Sequence, residues 1–177
     1  TLLNGIYATN AFKTKMEGNH VNGNANLLIP AREDIAGIYL NKSTYNELHC
    51  NFVNNTRFGI MAQANCLTNP DAVKGNSLFN HVLGWVFRKL GPEGTFGDVG
   101  TQTFDNNNLF AGNNYVFRVF KFCEIGYPDK IYTNPNTLTQ FQSNSEDINN
   151  QAANTCPYDV GPNIGNVTTY VCPVNLN

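Results

Sequence analysis

Short apolar runs broken by turn-forming residues recur along the whole chain, and they limit what it can fold into. Each run has the length of a β-strand and is separated from the next by Asn, Gly or Pro. The runs cover residues 5–12, 24–29, 35–40, 47–53, 57–62, 95–104, 115–125, 130–133 and 167–171. Many short strands between turn formers are typical of sandwiches and barrels. The sequence therefore predicts a mainly β fold, an antiparallel sandwich or barrel-like domain.

Two local patterns support this fold class. Residues 115–125 are aromatic and β-branched apart from three charged positions, which predicts a central strand with both faces covered. Asn22-Gly23 is the strongest tight-turn signal, because a type I′ turn needs a positive φ at both central residues. We expect a hairpin at this turn.

One segment departs from the β pattern. Residues 78–90 place apolar side chains at positions 78, 79, 82, 83, 86 and 90, with Ser77 as a possible N-cap and Gly91-Pro92 as a stop. This spacing predicts a helix over 78–90. Ser143 and Glu146 have the spacing of a capping box, which indicates a second short helix over 144–153.

The chain has the size of one domain. At 177 residues, with 41% hydrophobic residues, it is long and apolar enough to build a core. We recognise no repeat of about 20 to 50 residues and no linker, so the sequence predicts neither a solenoid nor a second domain. Residues 1–177 are expected to form a single extracellular-type domain.

Low charge excludes several partners. Only 14% of the residues are charged and the formal net charge is -2, so the chain has no basic surface for nucleic acid. No apolar stretch approaches the length of a membrane span. A chain that starts at Thr1 without a leader fits a processed secreted protein or a trimmed one. Secretion or display at the cell surface is the expected localisation.

The five cysteines lack the spacing of a zinc site, so disulfides are the favoured interpretation, with five buried thiols as the alternative. Equal separations in sequence favour two local bridges, Cys50 with Cys66 and Cys156 with Cys172. Cys123 lies inside the apolar run at 115–125 and is predicted to be a buried free thiol. An intermolecular bridge through Cys123 is the alternative.

Three Asn-x-Ser/Thr triplets make Asn41, Asn54 and Asn166 possible glycosylation sites. With roughly 30 asparagines in the chain, about this many triplets arise by chance, so their number does not indicate secretion. Asn54 lies in a polar stretch and is the first choice.

Motifs for catalysis and cofactors are missing from the sequence. It has no nucleophile elbow, no paired histidines for a metal and no phosphate-binding glycine pattern, so no cofactor is implied. Asp105 begins an Asn-rich loop and is a weak calcium candidate, for which a plain turn is the simpler explanation. His49 and Cys50 are adjacent, but neighbouring strand side chains point to opposite faces.

Two further possibilities concern sugars. Trp85 could stack on a sugar ring, although packing between elements of the core is the simpler role. Glycoside hydrolysis needs two carboxyl groups about 5 to 10 Å apart, and sequence alone does not select a pair. The candidate acids are Glu33, Asp34, Glu47, Glu93, Asp98, Asp105 and Glu124.

Three functions are compatible with these patterns. The favoured one is a non-catalytic secreted or cell-surface protein, a structural subunit or an adhesin, because low charge favours self-association. The alternatives are a lectin-like carbohydrate-binding module and a secreted glycoside hydrolase with two carboxylates. The expected partners are a second copy of the chain or an extracellular glycan or protein.

Overall fold

The computed structural model describes residues 5–23, 36–64, 66, 69, 72–81, 83–88, 104–105, 108–111, 117–121, 130–133, 159–162 and 168–174. Strands make up 56% of them, and they include no helix. In chain order the strands are β1 (Ile6–Thr9), β2 (Lys15–Glu17), β3 (His20–Asn22), β4 (Ala36–Asn41), β5 (Glu47–His49), β6 (Phe52–Asn54), β7 (Phe58–Gln63), β8 (Val73–Lys74), β9 (Ser77–Phe79), β10 (Leu83–Arg88), β11 (Phe104–Asp105), β12 (Leu109–Ala111), β13 (Phe117–Lys121), β14 (Lys130–Thr133), β15 (Asp159–Pro162) and β16 (Thr168–Thr169).

Every strand pair in the described residues is parallel. Strands from successive turns of the chain stack in the orders β1-β4-β7-β10-β13, β2-β5-β8 and β3-β6-β9-β12. Two smaller pairs, β11-β16 and β14-β15, are parallel as well. The first three circuits of the chain each add one strand to each of three sheets, and later strands extend two of these sheets, which is the architecture of a parallel β-helix. We call one such circuit a coil.

The core lies inside the coils, where the three sheets face one another. In the five-stranded sheet the inward residues Ile38, Ile60 and Trp85 occupy one stacked row, and each is at most 1% exposed. Leu48 and Val53 contribute to the same core from the other two sheets. Because aligned residues repeat from coil to coil, burying one apolar row fixes the register of a whole sheet.

The antiparallel sandwich predicted from sequence is therefore wrong, and so is the exclusion of a solenoid. Asn22 and Gly23 both lack the positive φ that the expected type I′ turn needs. Gly23 donates its backbone N–H to Asn54 O at 2.8 Å, a contact with the following coil. In the described part of the chain, β13 is the last strand in its sheet rather than a central one.

The helix predicted at 78–90 is also wrong, because this segment contains β9 and β10. A corner at Asn80, with a φ of 55°, separates the two strands and transfers the chain from one sheet to another. Leu78 and Trp85 both reach the core, at 0% and 1% exposure. The apolar residues of two short strands joined by a corner thus have the same spacing in sequence as the apolar face of a helix. The second predicted helix, over 144–153, lies outside the described residues.

Candidate functional site

A row of asparagine side chains crosses four coils at the turn between the second and third sheets. Asn19 Nδ2 donates to Asn51 Oδ1, Asn51 Nδ2 to Asn76 Oδ1, and Asn76 Nδ2 to Asn108 Oδ1, each at 2.9 Å. The same oxygens accept the backbone N–H of the preceding asparagine in the row. Asn51 and Asn76 are buried, at 1% and 0% exposure. We call these four residues the asparagine ladder; its hydrogen bonds tie the coils together.

The residue before each of the first three ladder asparagines has left-handed backbone geometry. Gly18, Cys50 and Gly75 have φ values of 64°, 54° and 67°. Glycine adopts this conformation at little cost, whereas a residue with a Cβ is strained by it. A cysteine at the middle position places its sulfur on the outside of the coil, where it forms a disulfide.

Cys50 is bonded to Cys172, across 122 residues of sequence and a Cα–Cα distance of 5.7 Å. The expected pairings of Cys50 with Cys66 and of Cys156 with Cys172 are therefore not formed. Cys66 is a free, buried thiol whose Sγ lies 3.2 Å from Gln63 O, and burial raises its pKa. Cys123 and Cys156 lie outside the described residues.

Beside the disulfide, the outer face of the β2-β5-β8 sheet carries a row of charged side chains. Glu17, His49 and Lys74 occupy aligned positions on the three strands, and we call them the charged row. Lys15 and Glu47 lie two residues upstream of Glu17 and His49 on the same strands. No sequence motif indicates this row, because its members are 25 or more residues apart.

The geometry of the charged row places His49 between two carboxylates. His49 Nδ1 is 3.8 Å from Glu17 Oε1, and Nε2 is 3.8 Å from Glu47 Oε2. Both distances are too long for hydrogen bonds, and His49 Nε2 has no hydrogen-bond partner among the described residues. Burial, followed by the positive charge of Lys74, lowers the pKa of His49. Lys15 contacts Glu17 at 2.6 Å, and this hydrogen bond raises the pKa of Lys15.

A segment near the C-terminus lies across the charged row. It comprises residues 170–174, which follow β16 and its pairing with β11, and we call it the strap. The Tyr170 ring centroid is 6.1 Å from that of His49, and Lys74 Nζ lies 4.8 Å from the centre of the Tyr170 ring. Cys50 Sγ is 3.6 Å from Tyr170 Oη. His49 and Cys50, expected to point to opposite faces, thus contact the same tyrosine, because the positive φ of Cys50 turns the chain there.

A second histidine, His81, lies inside the fold at 0% exposure. Its Nδ1 is 2.9 Å from Thr56 O, and its Nε2 is 3.1 Å from Val53 O. Burial lowers the pKa of His81 to about 4, although the two backbone contacts act in the opposite direction. The neutral ring is held between coils at a position where Gly59 has no side chain, since a Cβ there would lie 3.1 Å from His81 Cδ2. His81 is a structural histidine.

Aromatic side chains are exposed on the first two coils. Tyr7, Phe12 and Tyr45 are 50%, 60% and 41% exposed, and we call them the aromatic surface. The ring centroids of Tyr7 and Tyr39 are 5.2 Å apart, and those of Phe12 and Tyr45 are 5.6 Å apart. Each pair joins neighbouring coils from the outside.

Further rings line the outer face of the β3-β6-β9 sheet. The centroids of His20 and Phe52 are 5.6 Å apart, and those of Phe52 and Phe79 are 5.2 Å apart. His20 is exposed, whereas the two phenylalanines are half-buried. These rings form a continuous row along three coils.

Trp85 and Asp105 are the residues proposed from sequence for sugar stacking and for calcium binding. Trp85 is 1% exposed inside the core, so it offers no ring face to a sugar. Asp105 lies in β11, outside the part of the chain whose side chains are described. Among the described residues, no group of three or more His, Cys, Asp or Glu side chains converges as metal ligands would.

Two of the three glycosylation candidates can be located. Asn41 ends β4 and Asn54 ends β6, and both are half-buried; Asn166 lies outside the described residues. The hydroxyl residues of the two triplets, Ser43 and Thr56, are 0% and 3% exposed, so a sugar would have to be attached before these coils fold. Glycosylation stays a prediction.

The described residues contain no helix with the length and apolar character needed to cross a membrane. No family model, no curated protein and no solved structure matches this chain.

Proposed function

We propose that this chain belongs to a secreted or cell-surface protein and acts as a non-catalytic structural subunit or adhesin, with the β-helix as a rigid scaffold. The Cys50–Cys172 disulfide supports this proposal, because such bonds persist in oxidising compartments. The asparagine ladder and His81 support it as well. Their polar groups are engaged in hydrogen bonds between coils and are not free for chemistry.

The aromatic surface is the observation on which the proposal rests. Tyr7, Phe12 and Tyr45 expose large rings in a chain with few charges. Exposed rings that pack against each other, as Phe12 and Tyr45 do, typically mark sites of protein–protein contact, where tyrosine and other aromatics contribute much of the binding energy. A second copy of the chain or another extracellular protein is the partner that this surface favours.

Carbohydrate binding is the second candidate, and the ring row on the β3-β6-β9 sheet favours it. Sugar rings present apolar faces that pack on aromatic rings, while amides supply hydrogen bonds. His20, Phe52 and Phe79 follow one another across three coils, a length that suits an extended polysaccharide rather than a single sugar. Because Phe52 and Phe79 are half-buried, only part of each ring is open to a ligand.

Glycoside hydrolysis has less support. Of the described carboxylates, Glu17 and Glu47 lie near each other through their shared neighbour His49. Glu17 is already engaged by Lys15 at 2.6 Å. A hydrolase needs one free acid and one free base on either side of a substrate, and this arrangement does not provide them.

The proposal is tested by measuring self-association and glycan binding of the same preparation. Sedimentation velocity over a hundredfold range of concentration should show a dimer or larger species, and Phe12→Ser should weaken the association by about tenfold or more. Asn22→Ser, at an exposed polar position, is the matched control and should leave it unchanged.

A glycan array with and without a calcium chelator distinguishes the candidates. Self-association without glycan binding supports the structural subunit, whereas glycan binding that His20→Ala weakens supports the carbohydrate-binding module. A monomer at every concentration that binds no glycan and no extracellular matrix protein contradicts both.

A further inference from the structure

We propose that the strap is a redox-released cover: reduction of the Cys50–Cys172 disulfide by a dithiol frees residues 170–174 from the β-helix and uncovers His49 of the charged row. The inference goes beyond the proposed function and does not depend on it. It concerns the disulfide as a site of redox modification and the surface that the strap covers.

The strap rests directly on the third coil. Cys172 Sγ lies 3.4 Å from Gly75 O. A Cβ at Gly75 would lie 2.5 Å from Cys172 Sγ and 2.9 Å from Tyr170 Cε1. A glycine is thus needed at position 75 for two reasons. Its φ of 67° strains any residue with a Cβ, and a Cβ would occupy the space in which the strap packs.

The strap follows directly on β16, which β11 holds by strand pairing, and its own two valines lie at the surface. Val171 and Val174, on either side of Cys172, are 77% and 86% exposed and bury little apolar area. The disulfide and the Tyr170 ring, which packs on His49 and Lys74, attach it to the second and third coils. Segments with few buried contacts open locally at low free energy once a covalent tether is removed.

The disulfide can be reached from one side. Cys50 is 8% exposed, whereas Cys172 is half-buried between exposed neighbours. A thiolate of the dithiol attacks Cys172 Sγ, the S–S bond breaks, and Cys50 leaves as a thiolate. The second thiol of the reductant then resolves the mixed disulfide. Two electrons pass from the dithiol to the bond, two protons end on Cys50 and Cys172, and the reductant becomes a disulfide.

Release of the strap changes the surface beneath it. Tyr170 shields His49, which is 7% exposed and whose Nε2 has no hydrogen-bond partner among the described residues. Without Tyr170, His49 gains water on this side, and Lys74 loses the ring that covers its ammonium group. The open form thus exposes His49 and Lys74 beside Glu17 and Glu47, whereas in the closed form Tyr170 covers the His49 ring.

The test is limited chymotrypsin digestion of the oxidised and the dithiothreitol-reduced chain, with cleavage after each tyrosine followed by mass spectrometry. Cleavage after Tyr170 should accelerate about tenfold or more on reduction, whereas cleavage after the exposed Tyr7 and Tyr45 should not change. Alkylation verifies that Cys50 and Cys172 have been reduced while the buried Cys66 has not reacted.

Two glycine variants provide a test that leaves the disulfide in place. Gly75→Ala should accelerate cleavage after Tyr170 in the oxidised chain, because its Cβ collides with the strap. Gly18→Ala has the same left-handed geometry at the aligned turn of the first coil, and it should leave this cleavage unchanged.

A serine variant, Cys172→Ser, should reproduce the open form without a reductant. The proposal is overturned if Tyr170 stays as protected after reduction as before. It is equally overturned if Tyr170 becomes accessible only together with the core tyrosine Tyr39, because the disulfide then holds the whole fold rather than the strap.

Discussion

Replacing Asn51 with alanine tests whether the asparagine ladder stabilises the stack of coils. Asn51 is 1% exposed, so water cannot reach the groups that its side chain leaves behind. Its Nδ2 donates to Met16 O at 3.0 Å and to Asn76 Oδ1 at 2.9 Å. Its Oδ1 accepts the backbone N–H and the Nδ2 of Asn19, at 3.2 Å and 2.9 Å. One substitution therefore removes hydrogen bonds to both neighbouring coils.

The size of the effect follows from these contacts. A buried hydrogen bond contributes about 1 kcal/mol net, so the loss of four lowers the free energy of unfolding by about 4 kcal/mol for Asn51→Ala. Asn19, the first described member of the ladder, donates through its side chain to Asn51 and is half-buried. Asn19→Ala should therefore cost only about 1 kcal/mol.

Urea unfolding followed by circular dichroism measures both variants, with Asn22→Ala, an exposed asparagine of β3, as the control. The control should stay within about 0.5 kcal/mol of the wild type. Equal costs for Asn51→Ala and Asn19→Ala would refute the reasoning, because the two positions differ mainly in the number of ladder bonds they make.

Two further predictions concern the core. His81 has a folded-state pKa of about 4, below its ordinary value of 6.5, so between these pH values the unfolded chain takes up a proton that the folded chain does not. The free energy of unfolding should thus fall by about 3 kcal/mol as pH drops through this window, and urea midpoints of the wild type and His81→Asn should show a flatter pH dependence for the variant. Trp85→Ala should cost about 3 to 5 kcal/mol in thermal unfolding, because Trp85 is 1% exposed, whereas Tyr45→Ala, at 41% exposure, should shift the midpoint little. A similar loss for both variants would contradict this placement of the core.

The positions of several strands were predictable from sequence, whereas their pairing was not. The runs at 35–40 and 57–62 match β4 (Ala36–Asn41) and β7 (Phe58–Gln63) to within a residue at each end. Apolar side chains reveal which segments are buried, but they carry no information on which strand lies beside which. Strands that follow one another in sequence commonly pair as antiparallel hairpins, and for this reason the strand pattern alone favours an antiparallel fold.

The sequence contains a repeat whose spacing is irregular. Gly-Ile-Tyr occurs at 5–7 and 37–39, and Gly-Ile-Met at 59–61. Ladder asparagines follow at positions separated by 32, 25 and 32 residues. The separation varies because the corners of a coil accept extra residues without disturbing the stacked strands, so a search for a fixed period fails.

No comparable sequence pattern predicts the Cys50–Cys172 disulfide or the position of the strap. Local pairing is the simplest assumption for cysteines close in sequence, yet a β-helix brings the C-terminal segment beside the second coil, 122 residues away. The positive φ at Cys50 aligns it with Gly18 and Gly75, and only an alignment of the coils reveals a cysteine at a glycine position.

The asparagine ladder also has a direction. Asn19, Asn51 and Asn76 each donate an Nδ2 hydrogen to the coil that follows, and the Oδ1 atoms of Asn51, Asn76 and Asn108 accept from the coil that precedes, so these dipoles add instead of cancelling. Among the described asparagines, the carbonyl end of the row lies at Asn19 and the amino end at Asn108. Two molecules that met through their first coils would bring carbonyl oxygens face to face. An assembly that continues the ladder must therefore stack head to tail, and such contacts are heterologous and lead to open-ended filaments rather than closed dimers.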